Sequence, residues 1–422
     1  MSDTEVLVFV DLAGAPALVG RLRSRARKGR ESATFEYDNA WLEHPERFAL
    51  EPALTLGPGP RHPDSDKVLF GALGDSAPDR WGRTLMRRAQ RRGAQHGARA
   101  PRTLMEIDFL LMVDDEVRQG ALRFAQRPEG PFLAPPDEHR IPPVVDLPRL
   151  LAAAERVTGE TDTDDDLRLL MAPGSSLGGA RPKAAVRERD GQLAIAKFPH
   201  RNDETDVELW EALSLKLARQ AGIEVSDSRI ENISGKNVLV VRRFDRTRTN
   251  RISYLSAMSM LGAKDNESHS YMEIADTIRQ YGSQPEADLK ELWRRIVFSV
   301  LISNTDDHLR NHGFLYTGPR GWRLSPAFDL NPVPVDVKAR ILSTSISIDD
   351  PTASLALAME VAEYFGLTPD AARRTAGAVG TVVSRWRTEA RALGLTPAGI
   401  ERMVSSFEHK DLDQAVRFNA AS

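Results

Sequence analysis

The sequence predicts an α+β fold, strand-rich in its first part and helix-rich in its second. Short apolar stretches rich in β-branched residues occur at the start and again after residue 180, whereas beyond residue 252 the apolar spacing is almost wholly helical. A third observation divides the chain. Positions 127–148 hold seven prolines in 22 residues, too many for a packed helix or a central strand.

Taken in order, EVLVFVDLAG, LVGRLR and ATFEYD alternate or run apolar between Gly and Pro, which reads as a small sheet. Residues 79–113, DRWGRTLMRRAQRRG and TLMEIDFLLMV, carry helical spacing with a Gly/Pro break between them. This first segment spans residues 1–130. From residue 149 the pattern is a helix (LPRLLAAAERV), a Gly-rich turn leading into a strand (PGSSLGGARPKAAVRER) and a second strand (DGQLAIAKFP). VELWEALSLKLARQAG then places Trp210, Leu213 and Leu217 on one helical face and stops on Gly222. The strand NVLVVRRFDR closes a second segment, 149–250. The third, 251–422, is helical in LKELWRRIVFSVLIS, LALAMEVAEYFG and the closing stretches, and is interrupted by the polar residues 304–332.

Composition narrows the function. A chain of 422 residues with 41% hydrophobic content exceeds one ordinary core and can fill two or three. It has no cysteine, which excludes disulfides, a thiolate nucleophile and Cys-type zinc sites and fits a reducing compartment. No run of about 18 apolar residues occurs, and the first residues carry acids where a signal peptide carries positive charge. The expectation is a cytoplasmic globular protein without a membrane segment. Net charge is −3, with a local basic excess in the first hundred residues.

The chemistry concentrates in NTDDHLRNHGFL, residues 304–315, where Asp306 precedes Asn311 by five positions. That is the spacing of a kinase catalytic loop, in which the Asp addresses the attacking hydroxyl and the Asn holds a magnesium ion. By itself the match equally describes an Asx-rich turn. Context supports the kinase reading. In SPAFDLNP, Asp329 follows Asp306 by 23 residues, as a second metal-binding carboxylate does, although Leu330 stands where the Asp-Phe-Gly element has glycine. Upstream, Lys197 ends the apolar strand of AIAKFP. The loop SSLGGARPK offers Ser175, Ser176, Gly178, Gly179 and Lys183, able to turn tightly and present backbone N–H groups to phosphate. Gly-rich loop, strand lysine, acid-bearing helix, linker strand, Asp-x4-Asn and metal Asp follow one another in the order of kinase parts.

These motifs, GSSLGGARPKA, AIAKFP, VVRRFDR, NTDDHLRNHGFL and SPAFDLNP, resemble in order and spacing those of the HipA family, the kinase toxins of HipBA toxin–antitoxin modules. The resemblance extends over roughly residues 1–410. It implies a two-lobed, protein-kinase-like fold, with a β-rich N-terminal subdomain and an all-helical C-terminal lobe, using ATP and Mg2+. It implies Asp306 as catalytic aspartate, Asn311 and Asp329 as magnesium ligands, and Lys197 as the lysine on the ATP phosphates. It also implies Lys183 in the phosphate loop with Gly178 and Gly179, and an adenine-binding hinge over Arg242–Phe244. Ser176, or its neighbour Ser175, takes the place of the serine whose autophosphorylation silences the family, and a phosphate there repels those of ATP. Glu208 is either a partner of Lys197 or an exposed helix residue. Implied partners are a HipB-like helix-turn-helix antitoxin, operator DNA reached through or beside it, and a protein substrate such as glutamyl-tRNA synthetase or another aminoacyl-tRNA synthetase, with growth arrest as the consequence.

Rival readings are testable against geometry. His308 and His312 stand four apart like zinc ligands on a helix, but Leu309 takes the place of the metalloprotease glutamate, and His308 reads better as ordering the catalytic loop. The runs RLRSRARKGR and DRWGRTLMRRAQRR suggest a nucleic-acid surface carrying Arg87, Arg88, Arg91 and Arg92, or else a solvated face. A catalytically weak pseudokinase acting as a corepressor with the antitoxin is the remaining alternative.

Overall fold

Alternation of apolar and charged residues folds the start of the chain into a meander. Strands β1 (Ser2–Leu12) and β2 (Ala15–Arg27) pair antiparallel through Ala13 and Gly14, both at positive φ (52° and 90°), the geometry of a two-residue hairpin turn. β3 (Arg30–Tyr37), β4 (Pro60–Arg61) and β5 (Leu122–Ala125) complete a sheet of order β4-β3-β2-β1-β5. The structure is a computed structural model and describes residues 2–64, 66–95, 97, 100, 102–133, 141–171 and 179–420.

The basic run on β2 is absorbed by this sheet. Arg21, Arg23 and Arg25 share one face, where Arg23 reaches Glu5 on β1 at 2.8 Å and Glu36 on β3 at 3.1 Å, and Arg25 lies 3.7 Å from Asp3. Part of the second basic run is paired as well, while Arg87 and Arg91 stay exposed. In the helix Arg80–Gln95, Arg83 forms a two-pronged pair with Glu106 (2.6 and 2.7 Å), Arg88 meets Asp162 at 2.7 Å, and Arg92 meets Asp162 at 3.1 Å. The guanidinium of Arg87 lies 5.1 Å from the Phe109 ring centre. Of the four arginines read as a nucleic-acid surface, Arg88 and Arg92 are thus engaged by acids of the same unit.

The first compact unit comprises Met1–Asn202 and Asn232–Leu255. Its second sheet contains β6 (Lys183–Arg187), β7 (Leu193–Lys197), β8 (Ser228–Ile233) and β9 (Lys236–Arg242), in the order β6-β7-β9-β8. Trp81 and Leu85, helices Leu147–Thr158 and Asp164–Met171, and the strand residues Ala184, Val186, Ala196 and Val240 form one core. Met86, Phe109, Val113 and Val117 form another with Ala185 and Leu193. The segments read from sequence as 1–130 and 149–250 therefore share hydrophobic cores, because the helix after Asp79 buries its apolar side on strands that lie far along the chain. The return strand is locked by a buried network: Arg243 pairs with Asp245 at 2.6 Å, and Asp245 accepts the Gly120 N–H at 2.8 Å. Burial raises the Asp245 carboxyl, but Arg243 and Arg246 outweigh it and hold it ionised well below the usual range.

The second unit comprises Asp203–Glu231 and Ser256–Ser422. The helix Val207–Gln220, capped by Asp206, belongs to it. Its long helix Pro285–Leu301 is charged in its first half and apolar from Ile296 onward, and carries the buried Trp293, Phe298 and Val300. A short hairpin of β10 (Gly313–Tyr316) and β11 (Trp322–Leu324) interrupts the helices. No helix among the described residues is long and apolar enough to cross a membrane.

Candidate active site

The catalytic motif follows the helix Pro285–Leu301 directly. Ser303 turns the chain at a left-handed φ of 53° and anchors its hydroxyl on the Ser406 carbonyl at 2.8 Å. Asn304, buried, places its N–H on the Ser299 carbonyl at 2.9 Å and accepts the Asn331 N–H on Oδ1 at 3.3 Å. Asn331 in turn donates its side-chain amide to Asp329 Oδ1 at 3.2 Å. Within the second unit, the stretch carrying Asp306 and Asn311 is thereby tied to the stretch carrying Asp329. Asp329 itself has φ +58°, an uncommon conformation for a non-glycine residue and one that clusters at functional sites.

The Asp306 side chain is exposed, while its carbonyl accepts the His308 N–H at 2.9 Å and the Asn311 Nδ2–H at 3.1 Å. The amide end of Asn311 thus closes the loop, and its other end is an oxygen, the donor type a hard cation takes. No group of three or more His, Cys, Asp or Glu among the described residues is arranged to cage a metal. One amide oxygen and one or two carboxylates suit magnesium, which keeps water and phosphate in the rest of its shell.

Asp307 plays a different part. It is buried and lies 3.1 Å from His312 Nε2; it accepts the Ser299 hydroxyl at 3.2 Å and the Tyr271 hydroxyl. Burial raises its carboxyl, but the His312 charge and these hydrogen bonds outweigh that and lower it. The Tyr271 phenol is pushed up by burial and by Asp307. The carboxylate fastens the loop to helices Tyr271–Tyr281 and Pro285–Leu301. Sequence reasoning found neither this role nor those of Asn304 and Asn331. Tyr271 lies too far along the chain for any local motif to include it.

His308 and His312 flank a short 3-10 turn, Leu309–Asn311, rather than one α-helical face, and His312 is engaged by Asp307. The arrangement is not that of a helical zinc pair. His308 contributes to the loop through its backbone: its carbonyl accepts the Asn311 N–H at 2.8 Å. Glu208 is buried at 2% exposure on the first turn of its helix, which excludes the exposed reading.

In the first unit, Lys183 and Lys197 are register partners across β6 and β7. Lys183 is buried and pairs with Asp79 at 2.9 Å, an acid that no motif singled out. Gly179 adopts φ +101°. Arg242 ends β9 and lies 3.0 Å from Asp190; Arg243 sends its N–H to the Leu193 carbonyl at 3.0 Å, and Phe244 packs 6.2 Å from the Tyr254 ring. Ser175, Ser176 and Gly178 lie outside the described residues.

Comparison with known proteins adds three findings. The model of the HipA-like C-terminal domain matches residues 175–386, and that of the HipA N-terminal domain matches residues 12–107. A Sinorhizobium fredii protein named "Putative kinase Y4mE" is 25% identical over 330 residues, 70% of this chain and 71% of that protein. A Haemophilus influenzae protein named "Putative kinase" is 25% identical over 177 residues, 37% of this chain and 52% of its own. In fold, the chain is similar to Shewanella oneidensis HipA, solved with HipB and its operator DNA. The TM-score is 0.63 at 15% identity, over 98% of this chain and 95% of that one.

Proposed function

Because the chain belongs to the HipA family, we propose that it is an ATP-dependent protein kinase that transfers the γ-phosphate to a serine or threonine hydroxyl. The observation that carries this reading is the hydrogen-bonded path Asn304–Asn331–Asp329, which ties the Asp-x4-Asn loop to the second metal carboxylate. Phosphoryl transfer requires little covalent chemistry from a protein; it requires positioning and charge stabilisation, and these residues supply both. The exposed Asp306 carboxylate orients the acceptor hydroxyl and takes its proton. Asn311 Oδ1 and the Asp329 carboxylate would hold magnesium, whose charge would offset that of the phosphates. Lys197 adds positive charge to the phosphates. Gly179 and Lys183 belong to the loop proposed to meet them, and the hinge Arg242–Phe244 presents main chain to the adenine.

The family relationship supports the rest of the proposal. The chain acts in the cytoplasm as the toxin of a HipBA-like pair, binds a HipB-like helix-turn-helix antitoxin and reaches operator DNA beside it. It phosphorylates a protein such as an aminoacyl-tRNA synthetase and is silenced by autophosphorylation at Ser176. Intact mass of the purified chain after incubation with Mg-ATP tests the core of this. Wild type is expected to gain one phosphate, and Asp306→Ala and Ser176→Ala none. A wild type that gains nothing, and carries no phosphate from expression, overturns the kinase reading.

A further inference from the structure

Residues 79–81, from the N-terminal segment, grip the stretch Gly179–Lys183 at both of its ends. Asp79 Oδ2 pairs with Lys183 Nζ at 2.9 Å, with the two side chains only 5% and 6% exposed. Trp81 donates its indole N–H to the Lys183 carbonyl at 3.0 Å and its backbone N–H to the Gly179 carbonyl at 3.4 Å. Asp79 is itself fixed, because its other oxygen caps the helix Arg80–Gln95 by accepting the Gly82 N–H at 2.7 Å. Gly179 completes the fit. A Cβ there would stand 3.0 Å from Lys183 Nζ, on a backbone of φ +101° that side chains rarely adopt.

Charge gives this grip a purpose. Lys183 and Lys197 sit directly opposite each other in the antiparallel register, so both side chains leave the same face of the sheet, and like charges so placed repel. Asp79 offsets one of them and holds it still.

We infer that Asp79 and Lys183 form a buried positioning pair, set from the N-terminal segment, that fixes the Gly179–Lys183 stretch and the charge opposite Lys197 for a nucleotide triphosphate. The inference rests on the kinase reading above. Asp79 touches no substrate in this scheme; it acts through Lys183.

The test is Mg-ATP affinity of the full chain by calorimetry for wild type, Asp79→Asn, Lys183→Met and the double variant, with the ATP dependence of autophosphorylation alongside. Asparagine keeps the cap on Gly82 while removing the charge. Each single variant is expected to weaken Mg-ATP binding about tenfold, and the double no more than the worse single, since both remove one device. In Asp79→Asn, KM for ATP rises accordingly, while the rate at saturating ATP stays within about threefold. Lys183→Arg, which preserves the pair, returns affinity to within about threefold of wild type. Where a single variant fails to fold, the double variant leaves no lone buried charge and decides the matter. Wild-type affinity in Asp79→Asn or in the folded double variant overturns the inference and leaves the kinase reading standing, as do losses that multiply. A wild type that binds no Mg-ATP removes both.

Discussion

Asp306 and Asp307 are chemically identical neighbours in opposite surroundings. One is exposed; the other is buried under a hydroxyl from Tyr271, another from Ser299 and the imidazole of His312. Removing a buried acceptor leaves each of those donors desolvated and unpaired, a cost of about 1–3 kcal/mol per group and more where charge is involved. Asp307→Ala should therefore lower the stability of the second unit by about 3 kcal/mol or more, read as a shift in its urea midpoint. Asp306→Ala should move that midpoint by less than about 0.5 kcal/mol while abolishing phosphate gain. Equal midpoint shifts for the two variants would show that the assignment of roles is mistaken. The pair was legible in the sequence as two acids in a catalytic-type loop. Which of them turns inward was not, because the deciding partner, Tyr271, stands on another helix.

At the scale of elements, local pattern carried the strands and helices, while long-range pairing decided what their charges mean. The alternation of β1 and β2 is visible in the residues, as is the loop of residues 304–311. The basic runs look like a surface for nucleic acid until register sets Arg23 beside Glu5 and Glu36, and tertiary folding sets Arg88 beside Asp162. A glycine shows the same limit. Gly380 lies inside the helix Pro369–Val383, where sequence reasoning favours alanine by about 1 kcal/mol. The structure reverses that sign. A Cβ at Gly380 would come within 2.6 Å of the Ala415 Cβ and 3.0 Å of its backbone, on the helix Lys410–Ala420 packed against it. Gly380→Ala should thus destabilise the second unit by about 1–3 kcal/mol through overpacking. Thermal denaturation checks this, and an increase in melting temperature would mean the two helices part without cost.

The chain divides into two compact units, and one buried group in each answers acid in the opposite sense to the other. In the first, burial raises the Glu51 carboxyl from 4.5 to about 7, against the Ala72 and Gly71 N–H groups that favour its charge. Its folded-state pKa exceeds the unfolded one, so the folded unit binds more protons between about pH 4.5 and 7. Its stability accordingly falls as pH rises through that window. In the second unit, burial and then the Arg340 charge depress the His409 imidazole from 6.5 to about 4. There the unfolded chain binds more protons, so stability present above pH 6.5 is lost as pH falls toward 4. Asp245 in the first unit and Asp307 in the second, whose values are lowered, stay ionised at pH 4.5, whereas burial raises Asp114 in the first and Asp288 in the second, so the response is read at Glu51 and His409 individually. Moving from pH 7.5 to 4.5 should then relieve the first unit at Glu51 and weaken the second at His409, each by about 2–3 kcal/mol. Scanning calorimetry at the two pH values should show the transition of the first unit moving up in acid and that of the second moving down. His409→Gln should remove most of the acid sensitivity of the second unit's transition, and Glu51→Gln should raise the first unit's transition at pH 7.5 far more than at pH 4.5. If both variants instead shift a single transition equally at both pH values, the two groups do not titrate across folding and the opposed response is absent.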